Sequence, residues 1–267
     1  MSESSKPILR FHSLGNWSPH QLHITRISGT GRLIVPNIES LIDQSWQQAL
    51  ARPGVKLFDG QMCRLESWQA TPDSLHLTLS QTSYKPFLGT NLTHPDLADQ
   101  YGPKILANPV GVSPALITAD HFLMLGRRNA SVAYYPNRIH PFAGAMDPND
   151  PDPFAAIRRE LHEELSLTPA DLLPDGLRCT GIAEDLSIRQ PELIFTAHST
   201  RTRQEIESRL DDTEHHSAWA IAATREAIES ALASSEDFTP VAIASILLYG
   251  RNQFGKSWFG RASAPIV

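Results

Sequence analysis

The sequence predicts an α/β chain: a layered α/β domain preceded by a β-rich N-terminal extension or small domain. Two patterns carry this reading. Short alternating apolar stretches of strand period recur through both halves of the chain. They are interleaved with striped segments of helical period instead of being grouped apart from them. A length of 267 residues, 41% hydrophobic and 19% charged, suits a packed core and allows one large domain or a small module plus a catalytic one.

Residues 1 to about 35 read as strands and turns, with LHITRI alternating, SGTGR turning and LIVP following. Pro36 to Ala51 reads as a helix striped by Ile38, Leu41, Ile42, Trp46 and Leu50. Residues 56 to 82 alternate as a hairpin. Ser83 to Asn91 reads as a loop, with Pro86 and Gly89 as breakers, and His94 to Tyr101 as a short helix. A second unit starts near Asn108, where PALITA and HFLMLGRR read as strands joined at Asp120. The chain is thereby divided into an α+β region, 1–107, and a domain, 108–267. A Pro/Gly-rich loop from Pro136 to Pro153 leads into PFAAIRRELHEEL, which Asp152 can cap and Pro153 can start. Gly181 to Ser199 suggests further strands, and Thr224 to Ala233 and Pro240 to Tyr249 two further helices.

Composition narrows the function. A net charge of −6 argues against a protein that grips a nucleic-acid backbone, which is ordinarily basic. Cys63 and Cys179 stand far apart and suggest buried thiols, neither a zinc site nor a disulfide framework. MSESSKPILRF contains no apolar leader core, and no apolar run is long enough to span a bilayer. The expectation is a cytoplasmic protein with a small-molecule partner, no nucleic acid and no membrane, its oligomeric state left open.

The segment richest in chemistry is GAMDPNDPDPFAAIRRELHEELSL, Gly144 to Leu167. Glu160, Glu163 and Glu164 are spaced i, i+3, i+4 and share one helical face, while Ile157, Leu161 and Leu165 share another. Like charges so close repel, and a divalent cation with hard oxygen ligands turns that repulsion into binding. The competing reading is a solvated acidic face balanced by Arg158 and Arg159. Arg159-Glu160-Leu161-His162-Glu163-Glu164-Leu165-Ser166-Leu167, with Gly144 and Asp150 before it, resembles the Nudix box. The departures are Asp150 for a glutamate, one extra residue between Asp150 and Arg159, and Ser166 for the late glycine.

The resemblance implies a Nudix αβα sandwich and magnesium, or manganese, as cofactor. It implies Gly144, Glu160, Glu163 and Glu164 as metal ligands, with Arg159 orienting a glutamate by an ion pair. Outside the box, Phe58-Asp59, QTSYKPFLGTN, ANPVGVSPALITADHFLMLGRR and SILLYGR are similar to the UDP-sugar branch of the family. That branch implies hydrolysis of UDP-glucose or UDP-galactose to UMP and a sugar 1-phosphate, with residues 1–107 recognising substrate and 108–267 forming the hydrolase domain. Another nucleoside diphosphate derivative such as ADP-ribose, or a non-catalytic nucleotide-binding module, are the alternatives. Candidate substrate contacts are Tyr84, Lys85, Phe87 and Asn91 in one segment, Arg127 at a strand end beside Arg128, and Arg189 and Glu192 after the box helix. Glu214, His215 and His216 read as an exposed polar loop, of the kind that holds a catalytic base in some Nudix enzymes.

Overall fold

Period-two alternation builds the architecture. The computed structural model describes residues 7–52 and 57–266. The strands are β1 Leu9–Trp17, β2 Leu22–Arg26, β3 Gln61–Ala70, β4 Leu75–Ser83, β5 Gly111–Ile117, β6 Phe122–Arg128, β7 Ile139–His140, β8 Gly144–Ala145, β9 Leu172–Asp185, β10 Gln190–Ser199 and β11 His215–Ala222. The α-helices are α1 Pro36–Leu50, α2 Tyr84–Phe87, α3 Leu97–Tyr101, α4 Pro153–Leu165, α5 Arg203–Glu207, α6 Arg225–Ala233, α7 Pro240–Phe254 and α8 Lys256–Ser263.

The large sheet is mixed, in the order β1-β9-β10-β5-β6-β11, with β7 beside β6 and β8 beside β5. Only β10 and β5 run parallel in it. Alternate residues feed opposite cores. Val112, Leu116, Met124, Leu193 and Phe195 meet Ile157, Leu161 and Leu165 of α4 on one face. Ala115, Ile117, Leu123, Leu125 and Ile194 meet Ile243, Ile246 and Leu247 of α7 on the other. The result is the expected α/β sandwich with a helix layer on each face. A second sheet, β2-β4-β3, packs Leu65, Leu75, Leu77 and Leu79 into the α4-side core. The first strand belongs not to that small sheet but to the edge of the large one, paired antiparallel with β9.

Several expectations are corrected. The 83–91 stretch is helical, not a loop: α2 runs into a π-helical turn, Leu88–Leu92. Gly89 is there for closeness, since a Cβ on it would stand 2.8 Å from the Ile42 Cα of α1. The short helix after it is α3, beginning only at Leu97. The DDTEHHS segment is not wholly a solvated loop, because His215 opens β11 and is fully buried. The elements α5, β11 and α8 were not expected at all. The expected hairpin is β3–β4, although Lys56 at its start lies outside the described residues.

Candidate active site

Helix α4 is set by its sequence. The Asp152 Oδ1 accepts the Ala155 N–H at 2.8 Å, and Pro153 occupies the first turn. Anchoring Ile157, Leu161 and Leu165 in the core turns the glutamates to the helix's other side. They are not equivalent there. The Glu160 and Glu164 side chains are only 10% and 9% exposed, whereas Glu163 is 55% exposed. The helix ends at Ser166 with φ 51°, the left-handed conformation that glycine adopts without strain.

Arg159 organises the loop before the helix. It pairs in bidentate fashion with Asp150, at 3.2 and 3.0 Å, and reaches Glu160 at 2.8 Å and Glu163 at 3.3 Å. Its remaining donor contacts the Ala145 carbonyl at 3.0 Å. Burial lowers its pKa, but Asp150 and Glu160 more than offset this, so it stays charged. Asp150 accepts the Asp147 N–H at 2.8 Å, and its own carbonyl accepts from Arg26 of β2. The small sheet thus clamps the box loop. Gly144 lies so close to Glu160 that a Cβ there would overlap the carboxylate. A side chain at that position would displace the Glu160 carboxylate from where Arg159 holds it.

Glu160, Glu164 and Glu192 are buried in this neighbourhood, as are Asp150 and Asp185. Burial pushes Glu160 up to about 8 against the pull of Arg159, and pushes Glu164 well above the ordinary carboxylate range. Glu192, on β10, is raised by burial to about 8 and accepts a hydrogen bond from Ser113. It packs against Gly111 as Glu160 packs against Gly144, and both Gly144 and Glu192 line a small cavity of about 10 Å³ with Tyr134, Tyr135 and His140. Neither Glu164 carboxylate oxygen makes a well-aligned hydrogen bond, although the Ala143 N–H is directed at the carboxylate and the His215 Nδ1 lies 2.8 Å from Oε2. Burying a carboxylate unsatisfied is costly, and hard anionic oxygens of this kind suit magnesium or manganese. Among the described residues no three such side chains already converge in ligating arrangement. Arg159 instead occupies Glu160 and part of Glu163.

The remaining candidates separate by geometry. Tyr84 and the exposed Phe58 line an open cavity of about 760 Å³ that also reaches Ser131–Ala133. Lys85 is held by Asp43 of α1 at 2.6 Å, and Phe87 is buried edge-on between Tyr84 and Tyr134. Asn91 is fully buried, and its amide is spent on the carbonyls of Ile188 and Arg189 and the N–H of Asn108. It staples two loops together, and no polar atom of it is left to read a substrate. Arg189 sits before β10 in the left-handed region, paired with Asp99 at 2.5 Å, and lines a different cavity with Trp68 and Lys104. Arg127 points away from the carboxylates, over Trp219 and toward Asp237.

Arg128, the other arginine of that strand-end pair, faces the opposite side, because consecutive strand residues alternate. It is buried over the Tyr134 ring, with its Nε unpartnered and the nearest carboxylate, Glu214, at 3.9 Å. The second group is His215, expected in an exposed polar loop and found buried instead, its Nδ1 2.8 Å from the Glu164 Oε2. The doublet HH after an acidic turn was its only signal in the sequence.

A mixed sheet between helix layers, bearing a glycine loop and an Arg-Glu-x-x-Glu-Glu helix on one face, defines a domain of the Nudix class. The NUDIX domain model matches residues 108–240, and the chain belongs to the Nudix hydrolase family. A mouse protein named uridine diphosphate glucose pyrophosphatase NUDT22 is 28% identical over 296 aligned residues, covering 95% of this chain and 95% of its own length. The human protein of that name is 35% identical over 128 residues, covering 43% of this chain and 42% of its own. Among solved structures, a NUDIX hydrolase from Nitrosomonas europaea overlays with a TM-score of 0.39 at 21% identity, covering 54% of this chain and 89% of that one.

Proposed function

We propose that this protein is a magnesium- or manganese-dependent pyrophosphatase of nucleoside diphosphate sugars, cleaving UDP-glucose or UDP-galactose to UMP and a sugar 1-phosphate. The observation that carries the reading is the buried Glu164 carboxylate, without a well-aligned hydrogen bond, one helical turn from the buried Glu160, beside Gly144. Likeness along nearly the whole chain to a mammalian UDP-glucose pyrophosphatase supports the substrate class.

Glu160 and Glu164 would hold the cation, with Glu163 and the Gly144 carbonyl as further donors. The bound cation would neutralise pyrophosphate oxygens and acidify an attacking water. The protein's own part is orientation. Arg159, fixed by Asp150, sets the Glu160 carboxylate. Arg128 offers a buried guanidinium with a free N–H to a phosphate oxygen, the role first expected of Arg127. Glu192, buried beside Gly144, is a candidate general base. Tyr84 and Phe58 offer aromatic faces to a nucleobase in a cavity large enough for a nucleoside. On this reading residues 1–107 recognise substrate and 108–267 carry the hydrolase.

A panel of nucleoside diphosphate sugars and ADP-ribose, with product identification, tests it. Magnesium-dependent UMP release, lost in folded Glu164→Gln, is expected. Selective ADP-ribose turnover would replace the substrate, and nucleotide binding without turnover would make the protein a sensor.

A further inference from the structure

Five buried polar atoms at this site make no well-aligned side-chain hydrogen bond: both oxygens of Glu164, both ring nitrogens of His215 and the Arg128 Nε. Burying such atoms unpaired costs stability, which a bound partner would offset. The Glu164 and His215 sets face each other, the His215 Nδ1 standing 2.8 Å from the Glu164 Oε2 but off the line of a hydrogen bond.

The backbone is built to present this ring. The ladder between β11 and β6 slips between His215 and Ser217, a bulge that inserts His216 and turns His215 inward toward α4. Gly126 of β6 makes the space, since a Cβ on it would overlap the imidazole. Phe142 packs edge-on at 5.2 Å, and His140, hydrogen-bonded to the Thr239 hydroxyl at 2.8 Å, stacks at 6.4 Å. The Asp211 N–H bonds the Glu164 carbonyl at 2.8 Å, fixing the helix end to the approach of β11. The other charged or titratable groups around the ring are Arg128, Glu214 and His216.

We propose that His215 is a positioning residue: with the cation bound, a small turn of its ring puts the Nδ1–H onto one oxygen of Glu164, so that the other is presented to the divalent cation. The inference rests on the reading of Glu164 as a ligand. His215 itself touches neither cation nor substrate.

The experiment is titration of the folded, nucleotide-free protein with Mn2+, followed by electron paramagnetic resonance, on wild type, Glu164→Gln and His215→Phe, →Asn and →Gln. Loss of the outer hydrogen-bond partner of a ligand weakens metal binding by roughly 10- to 100-fold. His215→Phe is expected to show that loss. His215→Asn, whose amide nitrogen overlays Nδ1, restores most of the affinity, and His215→Gln does not. Wild-type affinity in a folded His215→Phe, or equal affinity in the Asn and Gln variants, overturns the positioning role. Should the Phe variant not fold, the Asn and Gln pair decides the question alone. Unchanged affinity in Glu164→Gln overturns instead the ligand reading beneath it, so the two failures are distinct.

Discussion

Replacing Glu160 by Gln isolates what the buried carboxylates cost and what they are for. In the folded protein burial raises Glu160 from its ordinary 4.5 to about 8, Arg159 pulling it down and Glu164 and Glu163 pushing it up. The folded state therefore holds a proton that the unfolded chain has released. Stability from this group is fully present below about pH 4.5 and is lost as pH rises through about 8. At about 1.36 kcal/mol per pKa unit, that interval corresponds to roughly 5 kcal/mol. For a chain of this length, with melting shifting by about 2 °C per kcal/mol, the metal-free melting temperature changes by about 10 °C. Glutamine has no proton to lose. In EDTA the melting temperature of Glu160→Gln minus that of wild type should grow by about 10 °C between pH about 5 and about 9. Scanning calorimetry at several pH values measures it. Magnesium should narrow the gap, stabilising wild type by about 2.7 kcal/mol at a hundredfold excess over Kd and leaving the variant unmoved. A melting difference independent of pH would refute the argument that Glu160 is buried and proton-coupled.

Three other expectations rest on different residues. Ser166→Gly should stabilise the protein by about 1 kcal/mol in urea denaturation, because φ 51° strains serine and not glycine. Asn91→Leu should cost about 2–4 kcal/mol of stability by removing the side chain's four hydrogen bonds, while KM for UDP-glucose in the folded fraction stays put. Tyr84→Ala should show the converse, a raised KM with little change in melting. Asp171 is held well below the usual carboxylate range by the Thr168 N–H and then by Arg201, so its contribution is present above pH about 3.8 and lost on acidification. Asp171→Asn should lower stability at neutral pH by about 1–3 kcal/mol and flatten the acid limb of the stability profile, read by chemical denaturation across pH.

What could be read from the residues beforehand was local in kind. The α4 cap, its apolar stripe and its carboxylate face all follow from spacing within one helix. Which of its glutamates is buried does not follow, since that depends on where β8 and β11 close over the turn. Arg127 and Arg128 show the same limit. Most of β6 is buried on both faces, so alternation could not say which arginine faces α4. The Ser83–Asn91 stretch reads as broken because Pro86 and Gly89 usually punctuate. Here the proline sits in the first turn of a short helix, and the glycine admits α1 to within contact of the backbone. The bulge that buries His215 is a property of strand pairing, invisible in an isolated HH doublet. Asn91 looked like a reader of polar ligands because an amide's partners, here from residues 108, 188 and 189, are tertiary.

The family match at 108–240 stops short of the full sheet and its helix layers. It leaves out β1, which covers the β9 edge, and all of α7 beyond its first residue. Expressed alone, that stretch would bare the apolar underside formed by Ala115, Ile117, Leu123, Leu125 and Ile194, and open a long unpaired strand to other chains. Insoluble aggregates, rather than a minimal hydrolase, are the expected product of trimming to the homology boundaries.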